Sequence, residues 1–416
     1  LAGGIQPPDG DHLEELGGDG AVSWEKVKLI DCCVSIADGD HQPPPKSETG
    51  IPFVTIANIV NNQFDFTNSM FVPNYYYEKL DSKRKAQKGD IIYSVVGSFG
   101  IPVFIKDNKP FVFQRHIAIL RPNGNIDARF LYYTMLSRDF YMKADAAAIG
   151  AAQRTVSLTA LRNIEITVPP IETQRRIADI VSAYDDLIEN NRKQIKLLEE
   201  AAQRLYKEWF VDLRFPNHEH TKIVDGVPEG WRVTTLDEIC SVRKEMLTPE
   251  KIDVDTPYIG LEHIPRKDIC LSEWGSSSEI SSNKFRYYED DILFGKIRPY
   301  FHKVGFALNN GVTSTDAIVL KSTEGLWSLL LMTASSSEFV SYTYQNCKEG
   351  AKMPRADWKQ MKSYPTIIAD RAIQSAFEDQ IYTITRKIKV LALQINRLSE
   401  ARDRLLPKLM SGEVEV

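Results

Sequence analysis

The chain has 416 residues, which at ~100–200 residues per domain predicts two or three domains, each able to bury a core. Its 51 Lys+Arg and 56 Asp+Glu leave a net charge of −5. Asp9, Asp11, Glu14, Glu15 and Asp19 stand before any Lys or Arg and account for that excess, so the rest is charge-balanced and neither demands nor excludes a nucleic-acid partner. Five scattered cysteines without C-x-x-C spacing argue against a disulfide frame and a zinc site. No apolar run approaches the ~18 residues of a membrane span and no secretory leader opens the chain, so a soluble cytoplasmic protein is expected.

In chain order, residues 1–20 form an acidic, Gly-rich segment expected to be disordered. Next come short apolar runs punctuated by Gly, Pro and Asn. Ile51–Ile59, Asp90–Val96, Pro102–Ile105 and Phe111–Leu120 read as strands, and Phe130–Leu136 and Ser157–Arg162 as short helices. The mixed order predicts an α+β domain with a curved sheet rather than a βαβ alternation.

After Pro169-Pro170 the pattern becomes regular. Ile177, Val181, Tyr184, Ile188, Asn191, Ile195, Leu198, Ala202, Leu205 and Trp209 follow one another in alternating steps of four and three. That 3.5-residue period over more than four heptads predicts a coiled-coil seam on a helix of ~50 Å. The helix is expected to end near Phe210, with Arg214-Phe215-Pro216-Asn217 as linker.

Everything after the linker repeats what precedes it. Trp24, Leu29 and Cys33 recur as Trp231, Leu236 and Cys240 at an offset of 207. Ile51–Ile59 recurs as Thr256–Ile264, Gly89–Tyr93 as Asp290–Phe294, and His116–Leu120 as Asp316–Leu320. Gly150-Ala151 recurs as Gly350-Ala351, and Glu200-Ala201 as Glu400-Ala401. The second seam runs Phe377, Ile381, Ile384, Ile388, Leu391, Ile395, Leu398, Arg402, Leu405, Leu409, every position 200 beyond the first. Asn191 and Arg402 interrupt the seams, where a polar group fixes register at a cost in stability. Asp370 is the expected cap of the second helix, which should end at Pro407 or Gly412. The chain is two homologous halves in tandem.

Enzyme signatures are missing. No phosphate loop is present, because Gly295-Lys296 lacks the upstream glycine. Gly97-Ser98-Phe99-Gly100 reads as a hairpin turn, and Pro73-Asn74-Tyr75 only echoes the tetrapeptide of amino-methyltransferases. The residues suited to nucleic acid lie elsewhere. If Lys296–Lys303 is extended, Lys296, Arg298, Tyr300 and His302 share one face, cations interleaved with an aromatic. The first half offers Ser98 in its turn, Gln114-Arg115-His116 at a strand and Gln153-Arg154 after Gly150. Opposite these the second half has Thr315 and, beyond Gly350, Lys352 and Arg355, with Lys303 closing its basic stretch. The halves agree in apolar residues and differ in polar ones, as two readers of different short sequences would.

The tandem halves resemble the specificity (S) subunit of type I restriction-modification systems. The resemblance rests on Ile149-Gly150-Ala151-Ala152-Gln153, Leu161-Arg162-Asn163-Ile164, Val168-Pro169-Pro170 and Glu172-Thr173-Gln174-Arg175-Arg176-Ile177. Leu205-Tyr206-Lys207-Glu208-Trp209-Phe210 and Gly295-Lys296-Ile297-Arg298-Pro299-Tyr300 add to it, so that it covers roughly residues 21–412. Residues 1–20 match nothing in the family pattern. The second helix start lacks the paired prolines, so the two starts are not expected to make the same contacts. The resemblance implies target-recognition domains at 21–171 and 227–369, spacer helices at 172–212 and 370–412, and a linker at 213–226. The helices would pair as an antiparallel coiled coil with pseudo-twofold symmetry. It further implies a subunit without catalysis of its own, in which each domain reads half of a bipartite double-stranded DNA site. Two modification subunits would carry S-adenosylmethionine, and two restriction subunits ATP and Mg²⁺. A stand-alone DNA methyltransferase or nuclease, or a coiled-coil scaffold that never meets DNA, are the alternatives.

Overall fold

The computed structural model describes residues 24–39, 41, 43–60, 62–67, 69–151, 153–347 and 352–416. The acidic segment 1–20, Ala152 and the Gly350-Ala351 pair lie outside the described residues. The chain divides into two compact units, one comprising the chain through Ala183 with Arg402–Val416, the other Tyr184–Ala401.

In the first unit an antiparallel sheet runs Cys33–Asp38, Ile117–Pro122, Ile91–Ser94, Pro102–Phe104. A second sheet runs Met70–Val72, Ile51–Val54, Val112–Phe113, its last pair parallel. The central strands are apolar on both faces because one face packs on helices and the other on the second sheet. Ile91, Tyr93, Ala118 and Leu120 join the core beside Phe130, Leu131 and Phe140, while Ile92, Ile117 and Ile119 join Val54, Val103 and Phe113. Two sequence expectations change here. Ile51–Ile59 is a strand only to Val54, after which Ile56–Asn58 forms a turn closed by the Asn58 side chain on the Thr55 amide (2.9 Å). Phe111–Leu120 is two strands parted by a turn at Gln114–His116, where the Ile117 amide donates to the Gln114 carbonyl (3.0 Å). A helix at Arg138–Ala146, capped by Ser137, completes the layer.

The second unit repeats this plan. One sheet runs Cys240–Arg243, Ala317–Ser322, Ile292–Gly295, Val304–Ala307, Cys270–Leu271. The other runs Met246–Leu247, Lys284–Tyr287, Gly311–Thr313, Pro257–Ile259, Gly275–Ser276. Helices Trp327–Ala334 and Ser337–Gln345 stand where Ala128–Leu136 and Arg138–Ala146 stand in the first.

The long helices span Ile171–Tyr206 and Arg371–Ser411, the first continued by a wider turn at Lys207–Val211. Asp370 caps the second through the Ala372 and Ile373 amides (2.9 and 3.2 Å). Pro407 lies inside that helix, which ends at Gly412 in a left-handed conformation (φ 75°). Within the second unit Asn191 donates to Gln394 (3.3 Å), and Trp209 and Phe210 pack on Phe377 (5.8 and 4.7 Å). Residue numbers rise along one helix as they fall along the other, so the pair is antiparallel. Within the first unit Ile177 and Val181 share a core with Leu406 and Leu409. Every seam position of both helices is buried or half-buried.

The two helix starts dock differently, in keeping with their sequences. Gln174 accepts from the Asp127 amide (2.9 Å) and donates to the Pro169 carbonyl (2.8 Å). In the second unit Glu378 takes the corresponding role, accepting from the Ser328 and Leu329 amides at the start of Trp327–Ala334 (2.9 and 3.3 Å).

Candidate nucleic-acid interface

In each unit one end of the main sheet gathers three loops. In the first, Val95 donates to the His116 carbonyl (2.9 Å), Val156 to Val95 (2.9 Å) and Gly97 to Arg154 (3.0 Å). These bonds bring together the turn after Ile91–Ser94, the Gln114–His116 turn and the Gln153–Thr155 segment. Ser98, Arg115, Gln153 and Arg154 are exposed there, Gln114 and His116 half-buried. Arg154 is anchored by the Asp145 carbonyl and carboxylate (2.5 and 3.2 Å) and lies over Phe99. Phe99 in turn stacks on Tyr141 at 5.7 Å with the rings nearly parallel. Gln114 and Arg115 also line a cleft of ≈ 300 Å³ with His41, Lys46 and Phe71.

The second unit closes the same frame with different residues. Arg298 donates to the Pro354 carbonyl (2.8 Å), Lys296 to Asp316 (2.8 Å) and Ala356 to Lys296 (2.9 Å). Lys296, Arg298, Tyr300, Thr315 and Arg355 thereby meet, with Lys352 exposed two residues before Pro354. Lys296 Nζ donates to the Thr315 carbonyl (2.7 Å), and burial holds its ammonium below the usual lysine range. Arg355 pairs with Asp316 (2.9 Å). Tyr300 packs edge-on against Tyr344 (5.3 Å), both about half exposed at 47%.

The extended reading of Lys296–Lys303 is corrected. Pro299–Phe301 is a single tight turn, flanked by Arg298 (φ 51°) and His302 (φ 54°) in left-handed conformations. Pro299 has no amide hydrogen to continue a ladder and its fixed φ starts a turn instead. Period two therefore fails, and His302 faces inward. It is buried, bonded to the Ser335 carbonyl (2.8 Å), and burial lowers its pKa below the usual histidine range. Lys303 likewise turns back, its Nζ on the Leu261 carbonyl. The strand placement of Gln114–His116 is corrected too, since these residues occupy a turn, where loop side chains are free to present polar atoms.

Sequence reading passed over Tyr141 and Tyr344, which sit on helices at a distance in sequence from the loops they support. It also passed over Arg266 and Lys267. Arg266 lies over the Phe301 ring at 3.9 Å and the Lys267 amide donates to the His302 carbonyl (2.9 Å), so both join the same loop. The adjacent cations in Ile264-Pro265-Arg266-Lys267 were the available signal. Among the described residues no group of three or more His, Cys, Asp or Glu is placed to hold a metal.

These features have counterparts in known proteins. The profile of the type I restriction modification DNA specificity domain matches residues 21–200. The specificity subunit of type I restriction enzyme MjaIX from Methanocaldococcus jannaschii is 25% identical over 417 residues, 94% of each chain. That of type I restriction enzyme HindI from Haemophilus influenzae is 23% identical over 440 residues, 88% of this chain and 94% of the other. The S subunit structure of a type I restriction-modification system from M. genitalium aligns with a TM-score of 0.60 at 17% identity, covering 95% of this chain and 98% of that one, a likeness of fold. Residues 21–200 thus match the type I restriction modification DNA specificity domain, and the chain is similar along nearly its full length to specificity subunits of type I restriction enzymes and shares the fold of a solved S subunit.

Proposed function

We propose that each unit reads one half of a bipartite, asymmetric site in double-stranded DNA and that the long helices set the unread gap between the halves. One observation carries this reading. The same three-loop frame is built twice and equipped with different polar side chains, Ser98, Gln114, Arg115, Gln153 and Arg154 in one unit and Lys296, Tyr300, Thr315, Lys352 and Arg355 in the other. A frame repeated with its exposed chemistry changed is what two sequence specificities on one scaffold require, because base edges are distinguished by the placement of donors, acceptors and apolar groups. The chain performs no chemistry itself. It orients two modification subunits, which supply S-adenosylmethionine chemistry, and in the full assembly two restriction subunits driven by ATP and Mg²⁺. The outward faces of the long helices and the adjoining surfaces are the docking sites for the modification subunits.

The test is selection from a random duplex pool by the complex of this chain with its modification partner. A motif in two specified parts, separated by a constant run of unspecified bases, is the expected result. Enrichment of a single continuous motif, or of none, rejects the reading. Methylation or cleavage by the pure chain supplied with S-adenosylmethionine and Mg²⁺ would reject it from the other side.

A further inference from the structure

Three backbone positions around this loop are left-handed in each unit, and they correspond. In the first unit they are Asn62 (φ 57°), Gly97 (φ 72°) and Gly100 (φ 91°). In the second they are Lys267 (φ 69°), Arg298 (φ 51°) and His302 (φ 54°). Gly97 donates to Arg154 as Arg298 donates to Pro354, which equates those two. Ser94 donates to Ile101 as Gly295 donates to Lys303, which equates Gly100 with His302. Asn62 follows Ile59 by the same three residues that separate Lys267 from Ile264.

Glycine and asparagine accept this conformation most readily, whereas longer side chains are disfavoured there. The first unit uses the favoured types and the second does not, so the second unit's side chains need a separate reason. His302 has one in its buried bond to Ser335. Among the described residues the side chains of Lys267 and Arg298 make no hydrogen bond. Neither they nor Arg266 form an ion pair among the described residues, in contrast to Arg243 with Asp291, Arg286 with Glu245 and Arg355 with Asp316. Arg298 Nε is buried without a hydrogen-bond partner. Arg266 and Arg298 both face the Phe301 ring, at 3.9 and 5.7 Å, and the nearby carboxylate of Glu262 lies 3.9 Å from His263. Strain and unneutralised charge concentrated where two loops meet mark a place where an anion completes the structure.

We propose that Arg266, Lys267 and Arg298 form a phosphate clamp that grips the sugar–phosphate backbone at the half-site read by the second unit. The clamp fixes register and adds affinity without reading bases, leaving base contacts to exposed side chains such as Thr315 and Lys352. The first unit, with Asn62 and Gly97 at these positions, lacks the side chains for it. The inference rests on the proposed DNA-reading function.

The test compares the wild-type chain, in complex with its modification partner, with Arg298→Gly, Lys267→Asn and Arg266→Gln. The first two install the residue types that the first unit carries at the same backbone positions, so folding should persist, and a melting temperature equal to or above wild type verifies it. Binding to the selected site and to an unrelated duplex is then measured over a salt series. Each variant should weaken both by a similar factor, on the order of tenfold at low salt, lower the slope of log affinity against log salt by about 1, and select an unchanged motif. A changed base in the second half-site would overturn the clamp in favour of base reading. Unchanged affinity and slope would overturn it outright. If the wild-type complex bound no duplex, the functional reading itself would fall and the clamp with it.

Discussion

Asp90 and Asp291 occupy the same place in the two units yet are neutralised from different strands. Each accepts from an amide three residues earlier, Gln87 and Tyr288 (2.9 and 2.8 Å). Arg121, on the central strand, pairs with the first (2.8 Å), and Arg243, on the neighbouring strand, with the second (2.8 Å). A buried carboxylate needs its cation but does not specify which strand supplies it. Removing one partner leaves the other charge buried, so Arg243→Met should lower stability by about 3 kcal/mol in denaturant unfolding. Replacing Arg243 and Asp291 together by apolar residues should cost much less. Glu199 is another buried carboxylate, held by the Ile269 amide (2.9 Å), and burial, aided by the charge of Asp268, raises its pKa to about 7. Because the folded value lies above the unfolded one, the protonated form is the stable one. Its contribution is complete below pH ~4.5 and is lost as pH rises through 7. Glu199→Gln should therefore match wild type in acid and exceed it by roughly 3 kcal/mol at pH 8, as read from thermal or urea melts at both pH values.

At the scale of elements, the helices were the most legible part of the chain, since a 3.5-residue apolar period has few other physical meanings. Asn191, one of the two polar exceptions, meets Gln394 across the seam (3.3 Å). Asn191→Leu should raise stability by roughly 1 kcal/mol in urea unfolding while removing a constraint on register. Deleting one heptad between Ile188 and Leu198 should change the length of the unread gap or abolish binding, with both half-sites unaltered in a duplex selection. An altered half-site would contradict that division of labour. Strand limits were less legible. Phe111–Leu120 is apolar enough to read as one strand, but the turn at Gln114–His116 divides it so that Val112–Phe113 and Ile117–Pro122 enter different sheets. Local propensity does not encode which sheet a short apolar segment joins. The turn at Pro299–Phe301 shows the same limit, because the left-handed residues on either side are held by distant partners, Arg298 by Pro354 and His302 by Lys267 and Ser335, that no local pattern announces.

For the whole molecule, the proposed reading gives each unit its own half-site, so lesions should be confined. Arg115→Ala should relax base preference in one half of the selected motif, by tenfold or more at the affected position, and leave the other half intact. Loss of preference in both halves would argue against independent reading. Duplication, α+β class, seam and the likeness to specificity subunits were all legible in the sequence alone. They depend on periodicity and on repeated apolar residues, which are written locally and can be counted. The candidate interface was only half determined: the polar residues were visible, but their company was not. Tertiary structure alone turned His302 and Lys303 inward and brought the Arg266–Lys267 segment against the turn that follows Arg298. The reason is physical, since side-chain direction there depends on left-handed backbone and on hydrogen bonds between segments tens of residues apart.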